Sequence, residues 1–93
     1  MIYEFNGNIV DGLYYFYASW NSKCNASMNR LERISNKFNI TIIKVNTTKY
    51  PNMKKNFNIV RIPSYLYIKD NIVMSKMEGN IDYISLFKWI ESL

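Results

Sequence analysis

The sequence is constrained most strongly by residues 13–18 (Leu-Tyr-Tyr-Phe-Tyr-Ala), an unbroken apolar and aromatic run that follows the turn signal Asp11-Gly12. A strand with one solvent-facing side alternates polar and apolar residues, whereas a strand that is covered on both faces does not alternate. The run therefore predicts a strand in the middle of an α/β sheet, with helices packed against both faces of that sheet.

A helix is predicted directly after this run. Asn21 is a residue type that caps helix N-termini, and apolar side chains then recur at three- and four-residue steps as far as about Lys37. These apolar positions are Cys24, Met28, Leu31, Ile34 or Ser35, and Phe38. Because Arg30, Arg33 and Lys37 fall mainly on the other side, the helix is predicted to be amphipathic.

The rest of the chain predicts shorter elements. Residues 2–5 and 40–45 are strand-like, and residues 50–58 suit a brief helix with Pro51 in its first turn. Residues 64–69 and 72–77 are two strands joined by a short hairpin turn. A last helix is capped by Asn80 or Asp82, and its apolar positions are Ile81, Ile84, Leu86, Phe87 and Ile90.

These elements follow the order β-β-α-β-α-β-β-α. Strand–helix–strand units pair their strands in parallel and a hairpin pairs them antiparallel, so we expect a mixed sheet. The 93 residues suit a single domain, residues 1–93. No stretch approaches the roughly 20 apolar residues that cross a bilayer, and the N-terminal residues lack a signal-peptide pattern. With only one cysteine, an intracellular and cytoplasmic protein is expected.

The composition excludes several kinds of chemistry. The sequence has no histidine, which removes His-based triads, general bases and metal ligands. A lone cysteine, Cys24, cannot form an internal disulfide or a Cys-rich metal site, and no glycine-rich phosphate loop is present. We therefore expect neither a bound metal nor a cofactor.

Three motifs in register resemble the thioredoxin family. Trp20-Asn21-Ser22-Lys23-Cys24 looks like the family's Trp-Cys-x-x-Cys at a helix start, Arg61-Ile62-Pro63-Ser64 looks like its cis-proline loop, and Gly79 falls at its glycine before the last helix. The resemblance covers roughly residues 12 to 93. It implies a thioredoxin-like fold with four to five strands and about three helices, and a cis peptide bond at Ile62-Pro63.

The departures from the family pattern bear on function. The family's nucleophilic cysteine is Asn21 here, its buried proton-shuttling aspartate falls at Tyr15, and its Gly-Pro between the two cysteines is Ser22-Lys23. The region before Leu13 is also shorter than in typical thioredoxins, so the family's first helix is expected to be shortened or absent.

The loss of the first cysteine removes the dithiol cycle, because disulfide exchange needs one thiolate to attack and a second thiol to resolve the mixed product. In the family, the cis-proline groove also pairs with an extended peptide, which requires no cysteine. Our leading interpretation is therefore a redox-inactive module that binds a protein or peptide partner. Its groove residues are Trp20, Asn21, Ile62, Pro63 and Gly79.

Cys24 has two interpretations. As the first residue of the apolar stripe it is a small buried core residue. Alternatively, its place in the first helical turn beside Lys23 lowers its pKa, and it is a catalytic residue for single-thiol exchange with glutathione or a partner. The enzymatic alternative would make the chain a thiol–disulfide oxidoreductase, and it requires an accessible sulfur.

A third interpretation starts from the net charge of +5. A basic surface can attract nucleic acid or an acidic partner. The basic residues are spread along the chain rather than clustered, so a solvated lysine-rich surface is favoured over nucleic-acid binding.

Overall fold

The computed structural model describes residues 1–93 and contains five strands and three helices. The elements are β1 (Ile2–Glu4), β2 (Gly12–Tyr17), α1 (Ser22–Phe38), β3 (Ile42–Asn46), α2 (Pro51–Asn56), β4 (Ser64–Lys69), β5 (Ile72–Glu78) and α3 (Tyr83–Glu91). The strands form one sheet in the order β1-β3-β2-β4-β5, with β2 in the centre.

The sheet is mixed, as the element order predicts. β2 and β1 both run parallel to β3, whereas β4 runs antiparallel to β2 and to β5. Ser64 of β4 takes part in two strand pairings. It lies opposite Phe16 of β2 on one side and opposite Glu78 of β5 on the other. The end of β2, the start of β4 and the end of β5 are therefore neighbours at one edge of the molecule.

The unbroken apolar run forms β2 because both faces of this strand are buried. Tyr14 and Phe16 belong to a core that includes Met53 of α2. Leu13 and Tyr15 point the other way, into a core that α1 and α3 supply. The side chains that these two helices bury there are Leu31, Ile34, Leu86 and Ile90. The prediction of helices on both faces of the sheet is confirmed.

Several predicted boundaries are wrong by a few residues. β3 begins at Ile42 and ends at Asn46 rather than spanning 40–45, α2 stops at Asn56, and β5 continues to Glu78. No helix lies between β1 and β2, which confirms that the family's first helix is absent. None of the helices is long and apolar enough to cross a membrane.

The last helix is capped by Asp82 rather than Asn80, because the Asp82 carboxylate accepts a hydrogen bond from the Ser85 N–H at 2.8 Å. Ile84 is wrongly placed among its apolar positions: this side chain is 61% exposed. Leu86 and Ile90, four residues apart, face the sheet, and a residue two positions before Leu86 lies roughly 200° around the helix from it.

Candidate functional site

The candidate site lies where β2 ends and α1 begins. The loop that precedes β4 lies at the same edge of the sheet. The Ile62–Pro63 peptide bond in this loop is cis. The Pro63 carbonyl accepts a hydrogen bond from the Gly79 N–H at 2.8 Å, so the glycine after β5 is tied to this loop. The register of the three strands thus brings the start of α1 close to two segments that lie more than forty residues further along the chain.

The predicted groove residues take two different places. Trp20, Asn21 and Ile62 line a shallow depression on the surface together with Ser22 and Lys23. Pro63 is buried and Gly79 is half-buried, and neither of them lines the depression. We name the depression lined by Trp20, Asn21, Ser22, Lys23 and Ile62 the groove.

Trp20 and Ile62 present the groups that a ligand would meet. The Trp20 side chain is 73% exposed, although tryptophan is one of the largest apolar side chains. The N–H and the C=O of Ile62 make no hydrogen bond within the chain. By contrast, the neighbouring Arg61 carbonyl accepts from the Ser64 hydroxyl at 2.5 Å.

Asn21 performs the capping role that its residue type predicts. Its backbone is extended (φ −95°, ψ 115°), and its Oδ1 accepts hydrogen bonds from the N–H groups of Lys23 at 2.9 Å and Cys24 at 3.2 Å. Two of the free N–H groups at the start of α1 are therefore satisfied without a thiolate.

Cys24 faces the interior and is only 1% exposed. Burial raises the pKa of its thiol, and the nearby Ala18 backbone and Tyr15 hydroxyl lower that pKa by less. Single-thiol exchange requires an accessible sulfur of lowered pKa. In the folded chain, Cys24 has neither property.

A buried network of hydroxyl groups holds the first turn of α1 from below. The hydroxyl oxygens of Tyr15 and Ser27 lie 2.7 Å and 2.8 Å from the Cys24 carbonyl oxygen, and either hydroxyl can donate to it. The two hydroxyls also contact each other. Burial raises the pKa of Tyr15 well above its ordinary value, so this residue stays neutral. It is a structural hydrogen-bond donor where the family has a titrating carboxylate.

Sequence reasoning missed Ser27 and Tyr65, which both lie in this region. Ser27 is fully buried because it lies three residues after Cys24 on the same helix face. The Tyr65 ring lies 5.5 Å from the Tyr15 ring, yet the buried Tyr65 hydroxyl has no hydrogen-bond partner. The spacing from Cys24 would have revealed Ser27. Nothing in the sequence marks the unpaired hydroxyl.

Together, the fold and the site define a class of protein. It is an α/β protein with a mixed sheet, in which the start of α1, the cis-proline loop and Gly79 lie close together at one edge of the sheet. The thioredoxin family model matches residues 4–92, and the chain belongs to the thioredoxin family.

Acidic and cysteine side chains form no cluster of three or more that could hold a metal ion.

Individual relatives agree with this assignment. The chain is 28% identical over 79 residues to thioredoxin Y2, chloroplastic, of Arabidopsis thaliana, covering 83% of this chain and 47% of that protein. It is 31% identical over 82 residues to thioredoxin C-2 of Corynebacterium nephridii, covering 82% and 76%. The chain thus spans about half the length of the plant relatives that it matches.

Among solved structures, the reduced thioredoxin of Schistosoma mansoni superposes with a TM-score of 0.83. The match covers 98% of this chain and 96% of that one at 19% sequence identity. At this level of identity the likeness concerns the fold, and it extends over nearly the whole of both chains.

The burial of Cys24 predicts slow alkylation in the folded protein. At about pH 7.5, iodoacetamide should label native Cys24 at least about a hundredfold more slowly than Cys24 in urea, because the sulfur is covered and its raised pKa lowers the thiolate fraction. Intact mass measures both rates. A Ser22→Cys change in a Cys24→Ala background provides the control: it places an exposed thiol in the same turn, which should label rapidly. Native labelling of Cys24 as fast as that control would contradict the buried placement.

The hydroxyl groups of Tyr15 and Tyr65 predict different effects for two similar substitutions. Tyr15→Phe should lower the free energy of unfolding by about 1–2 kcal/mol, since it removes hydrogen bonds to Cys24 and Ser27. Tyr65→Phe should leave stability unchanged or raise it by about 1 kcal/mol, because the lost hydroxyl is buried without a partner. Urea unfolding measures both. Equal destabilisation by the two variants would show that the Tyr65 hydroxyl has a partner.

Proposed function

We propose that the chain is a redox-inactive thioredoxin-family module that holds an extended segment of a protein partner in the groove. The observation that carries this proposal is the free N–H and C=O of Ile62 beside the exposed Trp20 ring. An extended peptide can pair its backbone with such a donor and acceptor, and its side chains can contact the ring. None of these contacts involves a thiol.

The residues that replace the redox groups support binding over catalysis. Asn21 caps α1 where the family has its nucleophile, and it offers no thiolate. Cys24 is the only cysteine among the 93 residues, so these residues alone contain no second thiol to resolve a mixed disulfide. The burial of Cys24 counts against single-thiol exchange with glutathione, and we propose that the residue has a packing role.

We place this function inside the cell, in the cytoplasm or another reducing compartment. A free cysteine is typical of proteins from such compartments, whereas small secreted domains usually carry several disulfides. Detection of the native protein in cell fractions with an antibody would test the location.

Binding should depend on Trp20 and not on Cys24. Cysteine-free peptides selected from a phage-displayed random library should shift the NMR signals of the Trp20 indole, Ile62 and Gly79. Trp20→Ala should weaken binding about tenfold or more, as large aromatic residues do at binding hot spots. Because Trp20 is 73% exposed, this change should leave the melting temperature nearly unaltered.

Two control variants sharpen this test. Ile84→Ala removes another exposed apolar side chain, from α3, and should not alter affinity. Cys24→Ala should bind peptide like the original protein once its folding has been verified by circular dichroism. The proposal fails if the peptide shifts map to another surface, or if peptide binding disappears in Cys24→Ala while the fold is intact.

A further inference from the structure

We infer that the groove selects an acidic extended peptide, an inference that rests on the proposed function and names its ligand class. The starting observation is the charge at the edge where the groove lies. Lys23 lines the groove itself, and the Arg61 side chain extends beside Gly79, where a Cβ added to the glycine would lie 3.6 Å from Arg61 Cδ. Lys23 is thus a cation on the α1 side of the groove, and Arg61, which directly precedes Ile62, is a second cation next to its other side.

Neither cation is neutralised within the chain. The one salt bridge joins Lys44 to Glu4 at 3.4 Å, so Lys23 and Arg61 have no carboxylate partner. Both residues are exposed. Lys49, which follows β3 at the same edge, is likewise exposed and lacks an ion pair. An acidic ligand would supply the missing counter-charges.

The two carboxylates on the flanking segments are held by backbone N–H groups of the chain and keep their negative charge. Glu78, at the end of β5, accepts a hydrogen bond from the Val60 N–H at 2.8 Å. Asp82 caps α3 through the Ser85 N–H at 2.8 Å. The first turn of α1 contains no acidic residue, so nothing there offsets the positive end of the helix dipole. Three cations, Lys23, Lys49 and Arg61, against these two carboxylates leave a net positive charge at this edge. The groove thus combines a nearby excess of positive charge, an apolar ring and free backbone groups.

These three features favour a peptide over a nucleic acid. The free N–H and C=O of Ile62 match the repeating donor and acceptor of an extended polypeptide backbone. A sugar–phosphate backbone has no such repeat, and single-stranded nucleic acids use successive aromatic platforms. Here Trp20 is the only aromatic residue that lines the groove. The preferred ligand is therefore a short extended segment with glutamate or aspartate flanking an apolar centre.

The test uses three capped octapeptides that differ only in charge. The acidic probe is Ser-Glu-Glu-Val-Val-Glu-Glu-Ser, and its counterparts carry glutamine or lysine in place of glutamate. Each is titrated into the ¹⁵N-labelled protein, with the Trp20 indole and Ile62 amide as reporters. The acidic peptide should bind about three- to tenfold more tightly than the glutamine peptide at low salt, as expected for a few solvent-exposed ion pairs. The difference should shrink at about 0.3 M salt.

Two double variants of equal charge change test which residues cause the preference for the acidic peptide. Lys23→Glu combined with Arg61→Glu should reverse the preference, so that the lysine peptide binds more tightly than the acidic peptide. Lys69→Glu combined with Lys88→Glu changes the net charge equally but alters exposed residues away from the groove, at the far end of β4 and in the last turn of α3. This control pair should keep most of the preference.

The outcomes separate this inference from the proposed function. Equal binding of the three peptides at the groove would overturn the acidic preference and leave peptide binding intact. A preference that survives in the Lys23→Glu, Arg61→Glu variant would also overturn it, as would tighter binding of an eight-nucleotide oligodeoxythymidylate than of the acidic peptide. If neither these peptides nor library-selected ones bind, the proposed function itself fails.

Discussion

The burial of β2 on both of its faces is the constraint on which the rest of the structure depends. Its side chains lie alternately in two separate hydrophobic cores. One core packs against α2, and the other packs against α1 and α3. This central position makes β4 a direct neighbour of β2, and the register at Phe16 and Ser64 then fixes where the loops meet. The groove is therefore a consequence of sheet topology, and it does not require any redox group.

Under the proposed function, two residues preserve this framework without thiol chemistry. A thiolate at a helix start is stabilised by the same N–H groups that bind the Asn21 side chain, so the cap persists after the nucleophile is lost. Tyr15 supplies a hydroxyl to the Cys24 carbonyl at the position of a proton-shuttling carboxylate. Both replacements are stabilising hydrogen-bond partners, and neither transfers electrons. The fold therefore does not depend on thiol chemistry at these two positions.

The sequence allowed much of this architecture to be predicted, for physical reasons. Periodicity located every strand and helix, since burial on one or two faces leaves a pattern along the chain. The boundaries of the elements are predicted less closely than their positions. β3 starts at Ile42 because the Ile42 N–H donates a hydrogen bond to the Met1 carbonyl, which is a long-range contact. The exposure of Ile84 and the unpaired Tyr65 hydroxyl likewise depend on which elements pack together. Local sequence does not contain that information.

The most direct test of the central claim, that the groove acts without thiol exchange, is the reduction of insulin disulfides in the presence of dithiothreitol. The precipitation of insulin chains is followed by turbidity, with a thioredoxin that carries both active-site cysteines as the positive control. Since Asn21 replaces the nucleophile and Cys24 is buried, the protein should add nothing to the rate of dithiothreitol alone. Acceleration approaching that of the two-cysteine thioredoxin would contradict the account.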